Sequence, residues 1–236
     1  MDIFSHIQTV RFSDGDRFGR LKLRALFDYA QEAAGHHAER LTVGMDRLQS
    51  RGQAWVLSRI RLRIKHYPRT GETIHLETYP RGFDKLFAIR EFRFRSESGE
   101  LFCEGTSCWL LIDREKLKIL NAAAEFSAVM PDNSALPRAY PNIGKLPALT
   151  VPLDQEYRIR ESQIDINGHL NNAEYAGIVQ DFLGPGVYPS EIQINYLLSV
   201  PAGSTLKVGG MHDHNSCLVV GDLDGSCAFQ AQAITS

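Results

Sequence analysis

The 236-residue sequence has no run of about 18 apolar residues, so it predicts no membrane-spanning helix. Its first residues lack the cationic and apolar regions of a secretory signal, and we therefore expect a cytoplasmic protein. The four cysteines form no C-x-x-C pair and have no histidine at a spacing typical of zinc sites. We expect free, mostly buried thiols and neither a metal nor another cofactor.

The chain has a small net charge of −2, which argues against nucleic acid as its main partner. The charge is unevenly distributed, since residues 1–120 hold 21 Lys and Arg against 16 Asp and Glu, whereas residues 121–236 hold 5 against 12. In the basic half, four cationic residues from Arg59 to Lys65 alternate with apolar ones, which is typical of a strand with one cationic face. Two interpretations of that face remain open: a solvated surface, or a docking surface for an acidic protein.

The most informative segment reads D-I-N-G-H-L-N-N-A-E-Y and runs from Asp165 to Tyr175. Asp165, Asn167 and His169 occupy alternate positions, and in extended backbone alternate side chains project to one side. We therefore expect a carboxylate, an amide and an imidazole to converge on one small volume. An imidazole is suited to proton transfer near neutral pH, a carboxylate orients it, and an amide binds an oxygen. This combination predicts a site that adds water to an ester or thioester carbonyl.

A helix is predicted directly after these residues, because apolar side chains recur at helical spacing until Gly184-Pro185-Gly186. Asn171 and Asn172 are good N-cap residues, and the first backbone N–H groups of the helix would be free to bind an oxyanion. A plainer interpretation is also open. Asp, Asn and Gly are ordinary turn residues, so the spacing alone favours a turn followed by a helix cap.

A faint internal repeat predicts two units of the same design. Asp16–Leu21 before the first helix resembles Asp165–Leu170 before the second, and Gln31-Glu32 in the first helix corresponds to Gln180-Asp181 in the second. In both copies strands separated by a Pro/Gly turn follow the helix. The repeat therefore predicts a helix followed by antiparallel strands, twice.

We predict an α+β protein with an N-terminal unit over residues 1–125, a Pro-rich linker over 126–152 and a C-terminal unit over 153–236. The first helix should run from about Leu23 to beyond Ala38. Further strands of the first unit are predicted at Thr73–Tyr79, Leu86–Ser96 and Leu101–Ile112, and a final strand of the second begins at Cys227.

This duplicated helix-and-sheet unit, with D-x-N-x-H-x-N-N-x-x-Y opening the second helix, resembles the tandem hotdog acyl-acyl carrier protein thioesterases of bacteria and plant plastids. The resemblance runs through nearly the whole chain. In the first half it rests on Gln31-Glu32, on Trp55–Arg59 and on Thr106–Asp113. In the second half the residues in register are Asp165, Asn167, His169, Asn171, Asn172 and Tyr175.

The resemblance implies two tandem hotdog units that hydrolyse a fatty acyl-acyl carrier protein to free fatty acid and carrier protein, without metal or nucleotide. It implies that the N-terminal unit holds the acyl chain and that the C-terminal unit is catalytic through Asp165, Asn167 and His169. One active site per chain is expected, because the first copy has Phe18 and Arg20 where the second has the amide and the imidazole. Acyl carrier protein is the implied partner, and a monomer and a homodimer are both compatible with the duplication.

The sequence departs from this family at one pair of positions. Plant members carry a Glu-Cys pair on the strand after the second helix, where this chain has Ser199 and Val200. Asp165 is then the nearest candidate carboxylate, either as the base for water through His169 or as a nucleophile that forms an anhydride. Two alternatives stay open: a thioesterase for coenzyme A esters, and a hotdog protein that binds acyl chains without hydrolysing them. A dehydratase of the same fold agrees less well with the Asn-Asn-x-x-Tyr context.

Overall fold

A computed structural model describes residues 1–148 and 150–235 of the chain. The helices are α1 (Leu23–Arg40), α2 (Met45–Gln49), α3 (Ala122–Phe126) and α4 (Asn172–Leu183). The strands are β1 (Phe4–Thr9), β2 (Gln53–Ile64), β3 (Thr73–Asp84), β4 (Phe87–Ser96), β5 (Leu101–Asp113), β6 (Lys118–Leu120), β7 (Gln155–Arg158), β8 (Glu191–Tyr196), β9 (Thr205–Asp213), β10 (Ser216–Leu223) and β11 (Ser226–Ile234).

These strands pair antiparallel in one sheet with the order β1-β3-β4-β5-β2-β8-β11-β10-β9-β7, and β6 lies beside β5. Strands β1 to β6 come from the first half of the chain and strands β7 to β11 from the second. The two groups join where β2 pairs with β8, with Leu62 opposite Ile192. The long helices α1 and α4 pack against each other and against this sheet in one hydrophobic core. Each half is therefore a helix wrapped by antiparallel strands, and the predicted α+β class is confirmed.

The two long helices agree with their sequence patterns. α1 begins at the predicted Leu23 and ends at Arg40, and its buried residues recur at intervals of three and four, as in Leu23, Leu26, Ala30 and Ala33. α4 ends before Gly184, whose φ of 85° lies in the left-handed region that glycine adopts without steric cost. Their apolar faces meet aromatic side chains of the sheet, which include the fully buried Phe92, Phe94, Phe102 and Phe229.

The segment between α3 and β7 crosses the opposite face of the sheet. It hydrogen-bonds to side chains of six strands in the order in which those strands lie in the sheet. Along the chain the contacts are Tyr79 Oη to Pro137 O, Ala139 N to Glu91 Oε2, Tyr140 N to Thr106 Oγ1, Arg59 Nη1 to Ile143 O, Gln193 Nε2 to Gly144 O and Gln230 Nε2 to Pro147 O. We call this segment, residues 127–148 as the structure describes them, the crossing linker.

The crossing linker partly covers the cationic face of β2, at Arg59 and Arg61. Arg59 donates to Ile143 O at 2.6 Å, while Arg61 pairs with Glu191 at 2.5 Å and lies 4.5 Å from the Tyr140 ring centroid. Arg59 and Arg61 are therefore partly covered and compensated by the chain itself, and a freely solvated or freely accessible surface is wrong for these two. Arg63 and Lys65 are exposed, and for them both interpretations stay open.

The cysteines are free, and Cys103, Cys108 and Cys217 are buried, as predicted. Among residues 1–148 and 150–235, no helix is long and apolar enough to cross a membrane.

Candidate active site

The loop from Asp165 to Leu170 is a tight turn. Asp165 Oδ1 accepts hydrogen bonds from the backbone N–H groups of Asn167 at 2.8 Å and His169 at 3.4 Å, and Asp165 N donates to His169 O at 2.8 Å. Gly168 has a φ of 81°, which allows the chain to reverse. Our expectation of extended backbone is wrong here, because the Asp165 carboxylate satisfies the N–H groups of its own turn. The turn-and-cap interpretation describes the local backbone.

The first turn of α4 is held from two sides. Asn171 is the N-cap, and its Oδ1 accepts from Ala173 N at 2.8 Å. Tyr196 Oη, on β8, donates to Asn172 O at 3.1 Å. Within the described residues, the backbone N–H of Asn172 has no acceptor. This donor lies at the positive end of the helix and is free to bind a ligand oxygen.

A glutamine from the other half of the chain contacts the same helix start. Gln31 lies on α1, and its Oε1 accepts from Asn172 Nδ2 at 3.3 Å while its Nε2 donates to Asn171 Oδ1 at 3.5 Å. The amide of Gln31 therefore complements both asparagine side chains. The two halves of the chain meet at this point through polar side chains as well as through β2 and β8.

A cavity of about 530 Å³ opens beside these residues. The first half of the chain forms most of its wall, through α1, α2 and the neighbouring ends of β2, β4 and β5. Its apolar lining includes Ala38, Val43, Leu48, Trp55 and Met130. The second half contributes Asp165, Ile166, Asn167, Asn171 and Asn172. The first half also contributes polar side chains, among them Glu32, Glu39 and Arg114. A cavity with both apolar and polar walls can hold a ligand that has an apolar tail and a reactive polar group.

Two of the three predicted site residues line this cavity. Asp165 and Asn167 do so together, and Asn167 Nδ2 lies 3.4 Å from Asp165 Oδ2. His169 is exposed, lies outside the cavity lining, and is tied to Asp165 through its backbone N–H rather than its ring. Tyr175 lies behind the turn, where burial raises the pKa of its hydroxyl and the charge of Asp165 adds to that rise.

The first half of the chain contains the same turn, in which a tyrosine hydroxyl also donates to the carboxylate. Asp16 Oδ1 accepts from the backbone N–H groups of Phe18 at 2.8 Å and Arg20 at 3.0 Å, which matches the bonds of Asp165. Its second oxygen, Oδ2, accepts from Tyr188 Oη at 2.6 Å, and the Arg20 guanidinium lies over the Tyr188 ring. The second oxygen of Asp165 accepts instead from Asn167 Nδ2 at 3.4 Å, within its own turn. Of the two corresponding carboxylates, Asp165 lines the cavity and Asp16 does not.

A buried arginine also lines the cavity. Arg90 Nη1 lies 3.1 Å from His37 Nδ1 and 3.2 Å from Thr78 Oγ1, and burial lowers the pKa of its guanidinium to about 10. Burial, together with the charges of Arg90 and Arg40, lowers the pKa of His37 to about 4. His37 is therefore neutral at physiological pH and can accept a hydrogen bond from Arg90.

Neither Gln31 nor Arg90 was predicted as a site residue. The repeat could have drawn attention to Gln31, because this residue corresponds to Gln180. No sequence feature distinguishes Arg90 from the other arginines of the basic half. Ser199 and Val200, where the predicted resemblance departs from the plant family pattern, are outside the cavity lining. Val200 is fully buried, and its carbonyl accepts from Leu170 N at 2.7 Å. The carboxylate at the cavity from the second half of the chain is therefore Asp165.

Comparison with known protein families identifies both halves of the chain. Residues 2–130 match the family described as acyl-ACP thioesterase N-terminal domain, and residues 147–226 match the acyl-ACP thioesterase C-terminal domain. Similar curated proteins include the chloroplastic oleoyl-acyl carrier protein thioesterase 1 of Arabidopsis thaliana, 24% identical over 62% of this chain and 42% of its own length. A chloroplastic palmitoyl-acyl carrier protein thioesterase of Cuphea hookeriana is 20% identical over 72% of this chain and 44% of its own length. The chain spans less than half of the length of these two relatives.

Solved structures match over nearly the whole chain. An acyl-ACP thioesterase from Bacteroides thetaiotaomicron superimposes with a TM-score of 0.89 at 20% identity, over 99% of this chain and 98% of that one. A 12:0-ACP thioesterase from Umbellularia californica gives 0.84 at 20% identity, over 99% and 97%. These likenesses confirm the predicted fold of tandem hotdog units.

Proposed function

Because the chain belongs to the acyl-ACP thioesterase family, we propose that it hydrolyses fatty acyl-acyl carrier protein to free fatty acid and carrier protein. One observation carries the proposal. A cavity with apolar wall from the first half of the chain is also lined by Asp165, Asn167, Asn171 and Asn172 of the second half, at the start of α4. A fatty acyl thioester has the matching shape, with a long apolar chain that ends at one polarised carbonyl.

In this proposal the two units have different roles. Residues 1–125 hold the acyl chain, the linker at 126–152 joins the units, and residues 153–236 carry the catalytic groups. Trp55 and Leu48 supply apolar wall to the cavity, whereas Asp165 and Asn167 supply polar wall. The position of the thioester carbonyl is thereby set beside α4, with the tail directed toward α2.

In the reaction, Asp165 accepts a proton from water as the water oxygen attacks the thioester carbonyl. The carbonyl oxygen becomes negatively charged and is bound by the Asn167 side-chain amide and the Asn172 backbone N–H. Collapse of this intermediate breaks the carbon–sulfur bond, and the leaving thiolate takes up the proton. His169 assists Asp165 in activating water, for which its ring turns from solvent toward the carboxylate.

Variants at the two flanking residues test these roles. Asn167→Ala should lower kcat by about 100-fold, as expected for the loss of one oxyanion donor. His169→Ala should lower kcat steeply if the ring takes part in proton transfer. Full activity of His169→Ala would remove His169 from the mechanism, and because the residue is exposed, its loss should disturb the fold little.

The substrate is tested with matched panels of acyl-acyl carrier protein and acyl-coenzyme A esters, from short to long chains, with free fatty acid as the product measured. Faster release from the carrier panel is the expected result. Release from coenzyme A esters alone would identify a coenzyme A thioesterase. Binding without release from either panel would identify an acyl-binding protein, in which Ser199 and Val200 mark the loss of catalysis.

A further inference from the structure

We infer that Gln31, on α1 of the first unit, is a positioning residue that holds the catalytic end of α4 in register with the cavity. The inference rests on the proposed function. Gln31 lines the cavity and bridges Asn172 Nδ2 at 3.3 Å and Asn171 Oδ1 at 3.5 Å. Its amide is thus complementary to the two side chains that begin the helix whose free N–H binds the oxyanion.

The repeat supplies a comparison within the same molecule. Gln180 occupies the corresponding place on α4, and its Oε1 accepts from Leu23 N at 2.9 Å at the start of α1. Leu23 is a buried core residue, and neither it nor Gln180 lines the cavity. Gln180 therefore acts as a helix cap. Gln31 differs because its partners are side chains on the cavity wall, and α4 already has its own cap in Asn171.

The consequence of losing Gln31 follows from these contacts. Asn171 would still cap Ala173 N at 2.8 Å, so α4 would still begin at the same residue. The Asn172 side chain, however, would lose its partner in α1, and the first turn of α4 would be held to α1 by packing and by the ion pair of Arg24 with Glu174 at 2.7 Å, which does not contact the Asn172 side chain. A small displacement of the oxyanion donors slows the chemical step far more than it weakens binding of the acyl chain, which contacts the apolar wall.

We expect Gln31→Ala to lower kcat on acyl-acyl carrier protein by about 10- to 100-fold while KM changes little. Gln31→Met, which keeps length and helix propensity but cannot form these hydrogen bonds, should give the same loss and provides the test if the Ala variant folds poorly. Gln180→Ala is the matched control. It removes an equivalent inter-helix hydrogen bond and should lower the melting temperature while leaving kcat unchanged.

A double-mutant cycle separates positioning from general weakening of the structure. If Gln31 acts through Asn172, then Gln31→Ala and Asn172→Ala together should cost little more in kcat than the worse single variant. Additive losses would overturn the inference, and so would a wild-type kcat in Gln31→Met. A wild-type protein that releases no fatty acid from any ester would overturn the proposed function itself and this inference with it.

Discussion

Glu91 is a buried carboxylate that accepts a hydrogen bond from the crossing linker. Its carboxylate is 1% exposed, and its Oε2 accepts from Thr106 Oγ1 at 2.8 Å and from Ala139 N at 2.9 Å. Oε1 has no hydrogen-bond donor among the described residues, and Arg138 Nε lies 3.8 Å away. Burial raises the pKa of Glu91 to about 7, against an ordinary 4.5.

The direction of the effect on stability follows from this rise. Between about pH 4.5 and pH 7 the folded protein holds a proton on Glu91 that the unfolded chain has released. The free energy of unfolding therefore falls as pH rises through this window, and the full cost of the ionised carboxylate is present above pH 7. A rise of this size corresponds to about 3 kcal/mol.

Glu91→Gln should relieve that cost, because the amide keeps an acceptor for Thr106 and Ala139 and does not ionise. At pH 5 the variant and the wild type should unfold at similar temperatures. At pH 8 the variant should gain up to about 3 kcal/mol, or about 6 to 12 °C in Tm for a chain of this size. Thermal unfolding of both proteins from pH 5 to pH 8 measures the difference, in which all shared titrations cancel. A constant difference across that range would refute this account of Glu91.

Other predictions concern the cavity, the helix cap and the partner. Trp55→Leu should open the cavity where the indole now packs against Phe126, and the products of an acyl-chain panel should shift to longer fatty acids; an unchanged product profile would remove Trp55 from the apolar wall that limits the chain. Asn171→Ala should cost about 1 kcal/mol in urea unfolding, whereas Asn171→Ser, which keeps a capping oxygen, should cost much less. We propose that an acidic carrier protein docks partly by charge, so raising salt should slow turnover of acyl-acyl carrier protein more than turnover of a small thioester; equal slowing would argue against electrostatic docking.

The helices and most strands were predictable because local patterns encode them. Apolar residues at helical spacing predicted α4, the repeat predicted α1, and Gly184 ended α4 where its left-handed φ is needed. The repeat predicted two copies of a helix with antiparallel strands. These features depend on neighbours in sequence, which a pattern can record.

The junction of the two halves was not predictable in the same way. The pairing of β2 with β8 joins residues about 130 positions apart, and no local pattern specifies it. The cover over Arg59 and Arg61 likewise comes from a linker without periodicity, so the alternating cations of β2 did not reveal that two of them are partly covered by the chain itself.

The sequence predicted residues of the site, but their arrangement only in part. The motif led to Asp165 and Asn167, which line the cavity together. The assumption of extended backbone also placed His169 beside them, but the Asp165 carboxylate forms a turn with its own backbone and leaves that ring in solvent. The repeat matched Gln31 with Gln180, but the contact of Gln31 with α4 depends on how α1 and α4 pack, which the sequence pattern does not specify.

The central claim is that Asp165 activates water for hydrolysis of an acyl-acyl carrier protein. The direct test is fatty acid release by the wild type, by Asp165→Asn and by Asp16→Asn on the same carrier-bound substrate. Asp16 makes the same backbone hydrogen bonds in the first unit, so its variant controls for the loss of the turn. We predict carrier-dependent release that Asp165→Asn abolishes and Asp16→Asn retains. Equal release by Asp165→Asn and the wild type would contradict the account.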